Sequence, residues 1–246
     1  MVSLYKKVAV HNHFKLVTIL KIMMLSALEG KIPEQLMVAL KKDIVDLRPA
    51  QEKAVQAGLL EKKSVLVCTP TASGKTNIAV LAMLSSILQD KGKALYVVPL
   101  KALASEKYGD FQDRFGHLIR IGISIGQLDS KEPNLVDKDL IIATSEKLDS
   151  LLRHHVPWIH EVKVLVIDEI HLLNDPGRGP TLEVLITLLR QILPHLQIVG
   201  LSATIGNPEE LAEWLGAALV IDDWRPVKLE KGVYFQNKIE FFEEKK

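Results

Sequence analysis

The sequence predicts an α/β domain, a mostly parallel sheet covered by helices on both faces. Three observations predict it. Apolar runs of four to six residues, rich in Val, Ile and Leu, alternate along the chain with segments of ten to fifteen residues that read as helices. Most of the runs are continuously apolar, as strands buried on both faces require. The chain of 246 residues, 48% apolar and 25% charged, has the composition of an ordinary globule and enough length to bury a full core.

The elements follow in order. LMVALKKD (36–43) reads as a short helix and DLRPAQEKAVQAGLL (46–60) as a loop entering a helix. SVLVC (64–68) is a strand that runs into a small-residue loop, and residues 76–89 form a helix with apolar positions every three or four. ALYVVP (94–99) is a buried strand closed by Pro99, followed by a helix over 101–115. Strands come next at 119–124 and 139–144, then a helix near 146–153 and the strand KVLVIDE at 163–169. TLEVLITLLRQIL (181–193) is a helix and LQIVGLSAT (196–204) a strand. PEELAEWLG (208–216) is a capped helix ending at Gly216, and ALVI (218–221) is a short strand. The tail VYFQNKIEFFEEKK alternates enough for a strand or hairpin before becoming highly charged.

A net charge of +1 makes no whole-molecule case for nucleic acid, so any such site is a local patch. Cys68 is the single cysteine, which excludes a disulfide framework and fits a reducing, cytoplasmic compartment; its apolar surroundings predict a buried thiol. Residues 16–28, LVTILKIMMLSAL, follow a basic stretch and loosely imitate a signal peptide. Lys21 interrupts the run, and a transmembrane helix needs about 20 apolar residues. Residues 1–30 are therefore expected as a helical accessory extension with no membrane role. A membrane or targeting segment and a start placed too far upstream are the alternatives.

TPTASGKT (69–76) leaves a buried strand and opens a helix, where free backbone N–H groups and the helix dipole hold anions. Thr71, Ala72, Ser73 and Gly74 permit a tight wrap around phosphates. Lys75 would reach the β- and γ-phosphates, and Thr76 would ligate Mg²⁺. Thr69 replaces the usual first glycine, so the strict pattern fails at one position. In VLVIDEIH (164–171), Asp168 and Glu169 end a strand, where adjacent carboxylates ask for a cation. Asp168 can hold Mg²⁺ through water while Glu169 takes the proton of an attacking water; helix capping or a solvated loop is the plain alternative. Ser202 and Thr204 of SAT lie at a third strand end and could hydrogen-bond back to the carboxylate turn, or form only a polar turn.

Taken in order, PAQ (49–51), TPTASGKT, VPLKALASEKY (98–108), TSEK (144–147), DEIH (168–171) and SAT resemble a superfamily 2 helicase. With VIDEIHLL, TLE, GLSAT and DWRPV (223–227), the chain is most similar to the archaeal superkiller-type DNA helicases of fork repair and Holliday-junction migration, over roughly residues 32–235. The resemblance implies a RecA-like P-loop NTPase fold. Residues 31–227 would be the first motor domain, and 228–246 would begin a linker toward a second. It further implies an ATP-dependent 3′-to-5′ DNA helicase using ATP and Mg²⁺ on single-stranded or forked DNA, and a monomer.

By the same resemblance Gln51 contacts the adenine base, although it also suits a polar helix start. His171 relays the triphosphate's state, or is a satisfied structural histidine. Ser202 and Thr204 couple hydrolysis to motion. Pro99, Leu100, Lys101, Thr144, Ser145 and Glu146 face the nucleic-acid strand, with hydroxyls, helix-start N–H groups and a lysine suited to phosphates. Arg178, between two glycines, is a further candidate or a solvated loop arginine; Lys107 and Arg153 read as surface charges. The second motor domain, with its transition-state arginines, finds no match in the last twenty or so residues, so a fragment with weak activity is expected. An RNA helicase motor and a naturally truncated binding module are the rival readings.

Overall fold

The computed structural model describes residues 23–126, 133–227, 232–235 and 238–241. Among these, seven parallel strands form one sheet. They are β1 (Val65–Cys68), β2 (Lys93–Val98), β3 (Ile121–Ser124), β4 (Leu140–Thr144), β5 (Val162–Ile167), β6 (Gln197–Ser202) and β7 (Ala218–Ile221). Their order across the sheet is β3-β4-β2-β5-β6-β1-β7. The central strands are apolar throughout because both faces are covered: β1, β2, β4 and β6 bury every residue.

Side-chain alternation along the strands divides the core in two. Val65 and Val67 of β1, with Tyr96 and Val98 of β2, face α1 (Glu34–Leu40), α2 (Pro49–Gln56), α3 (Lys75–Asp90) and α4 (Lys101–Phe115). Leu66, Cys68, Leu95 and Val97 face α5 (Ser145–Arg153), α6 (Gly179–Ile192) and α7 (Pro208–Leu215) on the other side. The period of two thus gives each strand a side chain for both layers. Helix ends follow local chemistry. Thr144 Oγ1 accepts the Lys147 N–H at 3.4 Å to cap α5. α7 begins on Asn207-Pro208 with two glutamates in its first turn and stops where Gly216 turns left-handed.

The carboxylates expected at the end of a strand lie just past it: β5 stops at Ile167, and Asp168 and Glu169 form the turn. Likewise β6 ends at Ser202, leaving Thr204 in an exposed connection. Residues 23–30, expected in an accessory extension, are built into the main core. Leu25 and Leu28 are fully buried in a 3₁₀ turn (Leu25–Leu28), and Leu25 N–H and Met23 C=O bond to Val45 and Leu47. Residues 1–22 of that extension lie outside the described residues. The tail forms an antiparallel pair, β8 (Gly232–Phe235) and β9 (Lys238–Phe241). No helix among the described residues is long and apolar enough to cross a membrane.

Candidate functional site

Parallel pairing places the C-terminal ends of β4, β2, β5, β6 and β1 side by side on one edge of the sheet. Each of the sequence segments singled out above leaves one of these strands. Thr144–Glu146 follow β4, Pro99–Lys101 follow β2, Asp168–His171 follow β5, Ser202–Thr204 follow β6 and Thr69–Thr76 follow β1. Backbone bonds tie neighbours together beyond the strands: Asp168 N–H donates to Val97 C=O at 2.8 Å, and Thr69 N–H to Ser202 C=O at 3.2 Å.

The loop after β1 is shaped by its small residues. Ala72 and Gly74 both take positive φ, 66° and 93°. Thr69 does not, which is why a side chain is accepted where a glycine is usual. Gln51 lies against the loop with 1% of its surface exposed. Its Nε2 donates to Gly74 C=O at 3.0 Å and its Oε1 accepts Arg48 N–H at 2.9 Å, while the Arg48 guanidinium donates to Ala72 C=O. The Arg48 guanidinium also lies 5.7 Å from the Trp224 ring centre. Gln51, expected against a base, here holds the loop through one N–H of its amide and one lone pair. Lys75 Nζ donates to Thr69 C=O at 2.9 Å, and its partial burial lowers its pKa from the ordinary lysine value, against the opposing pull of Glu169 and Asp168.

The carboxylate turn sits beside the loop. Asp168 Oδ2 accepts the Tyr96 hydroxyl at 2.7 Å, and Oδ1 accepts Glu169 N–H at 3.1 Å. Tyr96 is fully buried, and burial together with Asp168 holds its pKa well above the usual phenol value. Lys107 of α4 reaches into the same corner: Nζ donates to Thr76 Oγ1 at 3.1 Å and lies 4.0 Å from Asp168 Oδ2. Read from spacing as a surface charge, Lys107 belongs instead to the site. Glu169 takes a left-handed φ of 52°, uncommon for its type, and places Oε2 3.3 Å from His171 Nδ1 without the alignment of a hydrogen bond.

Several polar atoms on this edge are buried without a hydrogen bond: Thr69 Oγ1, Ser73 Oγ, His171 Nδ1 and Ser202 Oγ. Buried polar groups normally have partners, so these four mark where a polar ligand fits. The bond from Ser202 back to the carboxylate turn is not formed, and Thr204 is exposed. Thr76 Oγ1 and Asp168 Oδ2 already share one cationic group, the Lys107 ammonium, and so form an oxygen pair that suits a divalent cation. No cluster of three or more His, Cys, Asp or Glu among the described residues could hold a metal alone. A cation here would therefore take further oxygens from a phosphate ligand or water, the usual habit of Mg²⁺.

Beside this corner lies a groove of about 320 Å³ lined by Pro99, Leu100, Lys101, Thr144, Glu146 and Arg178, together with Ile125, Gly126 and Lys147. Six of the seven residues expected at the nucleic-acid face are brought together there. The seventh, Ser145, lines the adjoining depression that joins Arg178 to Asp168. Arg178 is half-buried, not a solvated loop residue. Asp175 Oδ1 accepts the N–H groups of both Gly177 and Arg178 at 2.9 Å, and Gly179 packs so closely that a Cβ would stand 2.1 Å from Leu173 C=O. These contacts fix the backbone that aims Arg178 at the groove.

Residues 48–211 match the DEAD/DEAH box helicase family model. The chain belongs to the DEAD/DEAH box helicase family. It is 53% identical over 205 residues to the ATP-dependent DNA helicase Hel308 of Methanococcus vannielii, covering 80% of this chain and 27% of that protein. Against the Hel308 of Pyrococcus horikoshii it is 51% identical over 219 residues, 89% of this chain and 30% of that one. The crystal structure of the DUF1998 helicase MrfA bound to DNA superposes with a TM-score of 0.68 at 31% identity, over 78% of this chain and 30% of MrfA. The chain thus spans under a third of these relatives, and within that span it has the RecA-like fold of a superfamily 2 helicase motor domain. Nucleotide use comes with the family.

Within this DEAD/DEAH box domain, sequence reasoning missed Arg48, Tyr96 and Lys107. Lys107 alone left a signal, falling on the inward stripe of α4 between the buried Ala104 and Phe111. Arg48 and Tyr96 act through contacts with residues 24 and 72 positions away, which no local pattern reports.

Proposed function

We propose that this chain is the ATP-binding motor domain of an ATP-dependent 3′-to-5′ DNA helicase. The observation that carries the reading is the gathering of unsatisfied buried atoms from the phosphate loop, the DEIH turn and SAT beside Lys75 and Asp168. The relatives named as ATP-dependent DNA helicases, and the similarity to MrfA bound to DNA, support ATP as nucleotide and DNA as track.

In this reading the N–H groups of Thr71–Thr76 cradle the phosphates. Lys75 exchanges its bond to Thr69 C=O for the β- and γ-phosphates. Mg²⁺ held by Thr76 and, through water, by Asp168 would neutralise charge on the phosphates. Glu169 accepts the proton of the attacking water, and His171 and Ser202 report the state of the γ-phosphate. Gln51 keeps the loop in its binding shape. Arginines that stabilise the transferring phosphoryl group would face this edge from a second RecA-like domain, so hydrolysis without them is slow. Pro99–Lys101, Thr144–Glu146 and Arg178 would grip the phosphates of a single strand in the groove.

The test is titration of a fluorescent ATP analogue with Mg²⁺ into the chain, with and without single-stranded DNA, beside Lys75→Ala. Saturable binding lost in Lys75→Ala is expected. Equal binding by both proteins sinks the proposal, and tighter binding to RNA than to DNA of the same sequence replaces the DNA track.

A further inference from the structure

The corner proposed to hold the metal already contains a positive charge that belongs to the chain. Lys107 Nζ lies 3.1 Å from Thr76 Oγ1 and 4.0 Å from Asp168 Oδ2, the two side chains read above as metal ligands. Neither Lys107 nor Asp168 is well exposed, at 18% and 14% of their side-chain surface. A carboxylate so placed is costly without a countercharge. Lys75 makes no ion pair with Asp168, although it feels the charge of both Asp168 and Glu169; its ammonium bonds Thr69 C=O. Tyr96 supplies a hydrogen bond to Asp168 but no charge. Ala104 and Phe111, a turn before and after Lys107, are fully buried and anchor α4 beneath it.

We infer that Lys107 is a built-in counter-cation: it neutralises Asp168 and engages Thr76 when no metal is bound, and Mg²⁺, held by Thr76 and through water by Asp168, must displace it. The inference rests on the proposed metal roles of Thr76 and Asp168. Mg²⁺ binds oxygen at about 2.0–2.1 Å, so an ion bound directly to Thr76 Oγ1 and through water to Asp168 would crowd the ammonium that now faces both, with strong repulsion between the two charges. Lys107 therefore lowers the site's affinity for metal while keeping the metal-free corner intact.

Mn²⁺ serves as the probe, followed by the EPR signal of the free ion, with the chain in the presence of ADP. Lys107→Met and Lys107→Gln, each first shown to melt cooperatively, are expected to bind Mn²⁺ about tenfold more tightly than the unsubstituted chain. The gain should disappear when Asp168→Asn is added. Unchanged or weaker Mn²⁺ binding in both Lys107 variants, with Asp168→Asn alone still losing the ion, overturns the counter-cation and leaves the metal site standing. Equal Mn²⁺ binding by Asp168→Asn and the unsubstituted chain overturns the metal assignment itself. A second readout needs no substitution: acylation of Lys107 should quicken by about fivefold on adding saturating Mg²⁺ without nucleotide, as the ammonium is released. No change in that rate at saturating Mg²⁺ counts equally against the proposal.

Discussion

Gln51 and Gly74 interlock: Gln51 Nε2 donates to Gly74 C=O at 3.0 Å, and a Cβ at position 74 would stand 2.5 Å from that same nitrogen. Gly74 also sits at φ 93°, where a side chain costs about 1–2 kcal/mol. Gly74→Ala should therefore weaken Mg²⁺–ATP binding by more than about tenfold, and Gln51→Ala, which removes one of its two hydrogen bonds from the loop itself, by about two- to tenfold. Fluorescent-nucleotide titration separates the two. A larger loss in Gln51→Ala than in Gly74→Ala would contradict the arrangement.

Tyr96 links the core to Asp168 of the carboxylate turn. Tyr96→Phe keeps the edge-on contact with Phe111, whose ring centre is 5.3 Å away, and deletes the hydroxyl that bonds Asp168. The expected cost is about 1–3 kcal/mol, since the acceptor is a partly buried carboxylate. Calorimetry should record a fall in Tm of roughly 2–10 °C.

The alkaline limb of stability has two contributors. Burial pushes the Cys68 thiol up to about 11, and it holds the Tyr96 phenol above its ordinary value. Both groups are neutral in either state below their unfolded pKa values, so neither penalises folding there. As pH rises from about 9 through 11, the unfolded chain loses its Cys68 proton first and stability drops, by up to about 2–3 kcal/mol. Chemical denaturation at pH 8 and pH 11 measures the loss, and Cys68→Ala should show less of it. At pH 8 the thiol should also alkylate far more slowly than a free cysteine.

Lys101 and Arg178 line one groove, so each should contribute one phosphate contact if a strand lies there. Lys101→Ala and Arg178→Ala should each weaken single-stranded DNA binding on all sequences alike and reduce the salt slope by about 0.7. Fluorescence anisotropy across a salt series is the measurement. An unchanged slope would remove that residue from the interface.

Much of this was legible in the chain's order of letters. Continuous apolar runs such as VLVC, LYVV and LIIAT placed the buried strands because a strand covered on both faces has no polar side to show. TPTASGKT and DEIH stood out because the phosphate and metal chemistry proposed for them calls for particular residues at fixed short spacing. Helix bounds moved by only a few residues, as with α3, which begins at Lys75 and not at position 76. The burial of Leu25 and Leu28 was not legible because their core partners are supplied by distant segments.

By itself the sequence determined the alternation of strands and helices, the small-residue loop after β1 and the acidic turn, since each depends on interactions within a few residues. Only the tertiary structure decided that β4, β2, β5, β6 and β1 lie in that order, which sets five separate loops on one edge. It alone decided that Gln51 clasps the loop, that Tyr96 holds Asp168 and that Lys107 stands between Thr76 and Asp168. Those contacts join residues 23 to 72 positions apart, and their partners are chosen by strand order and helix packing, which no local periodicity encodes.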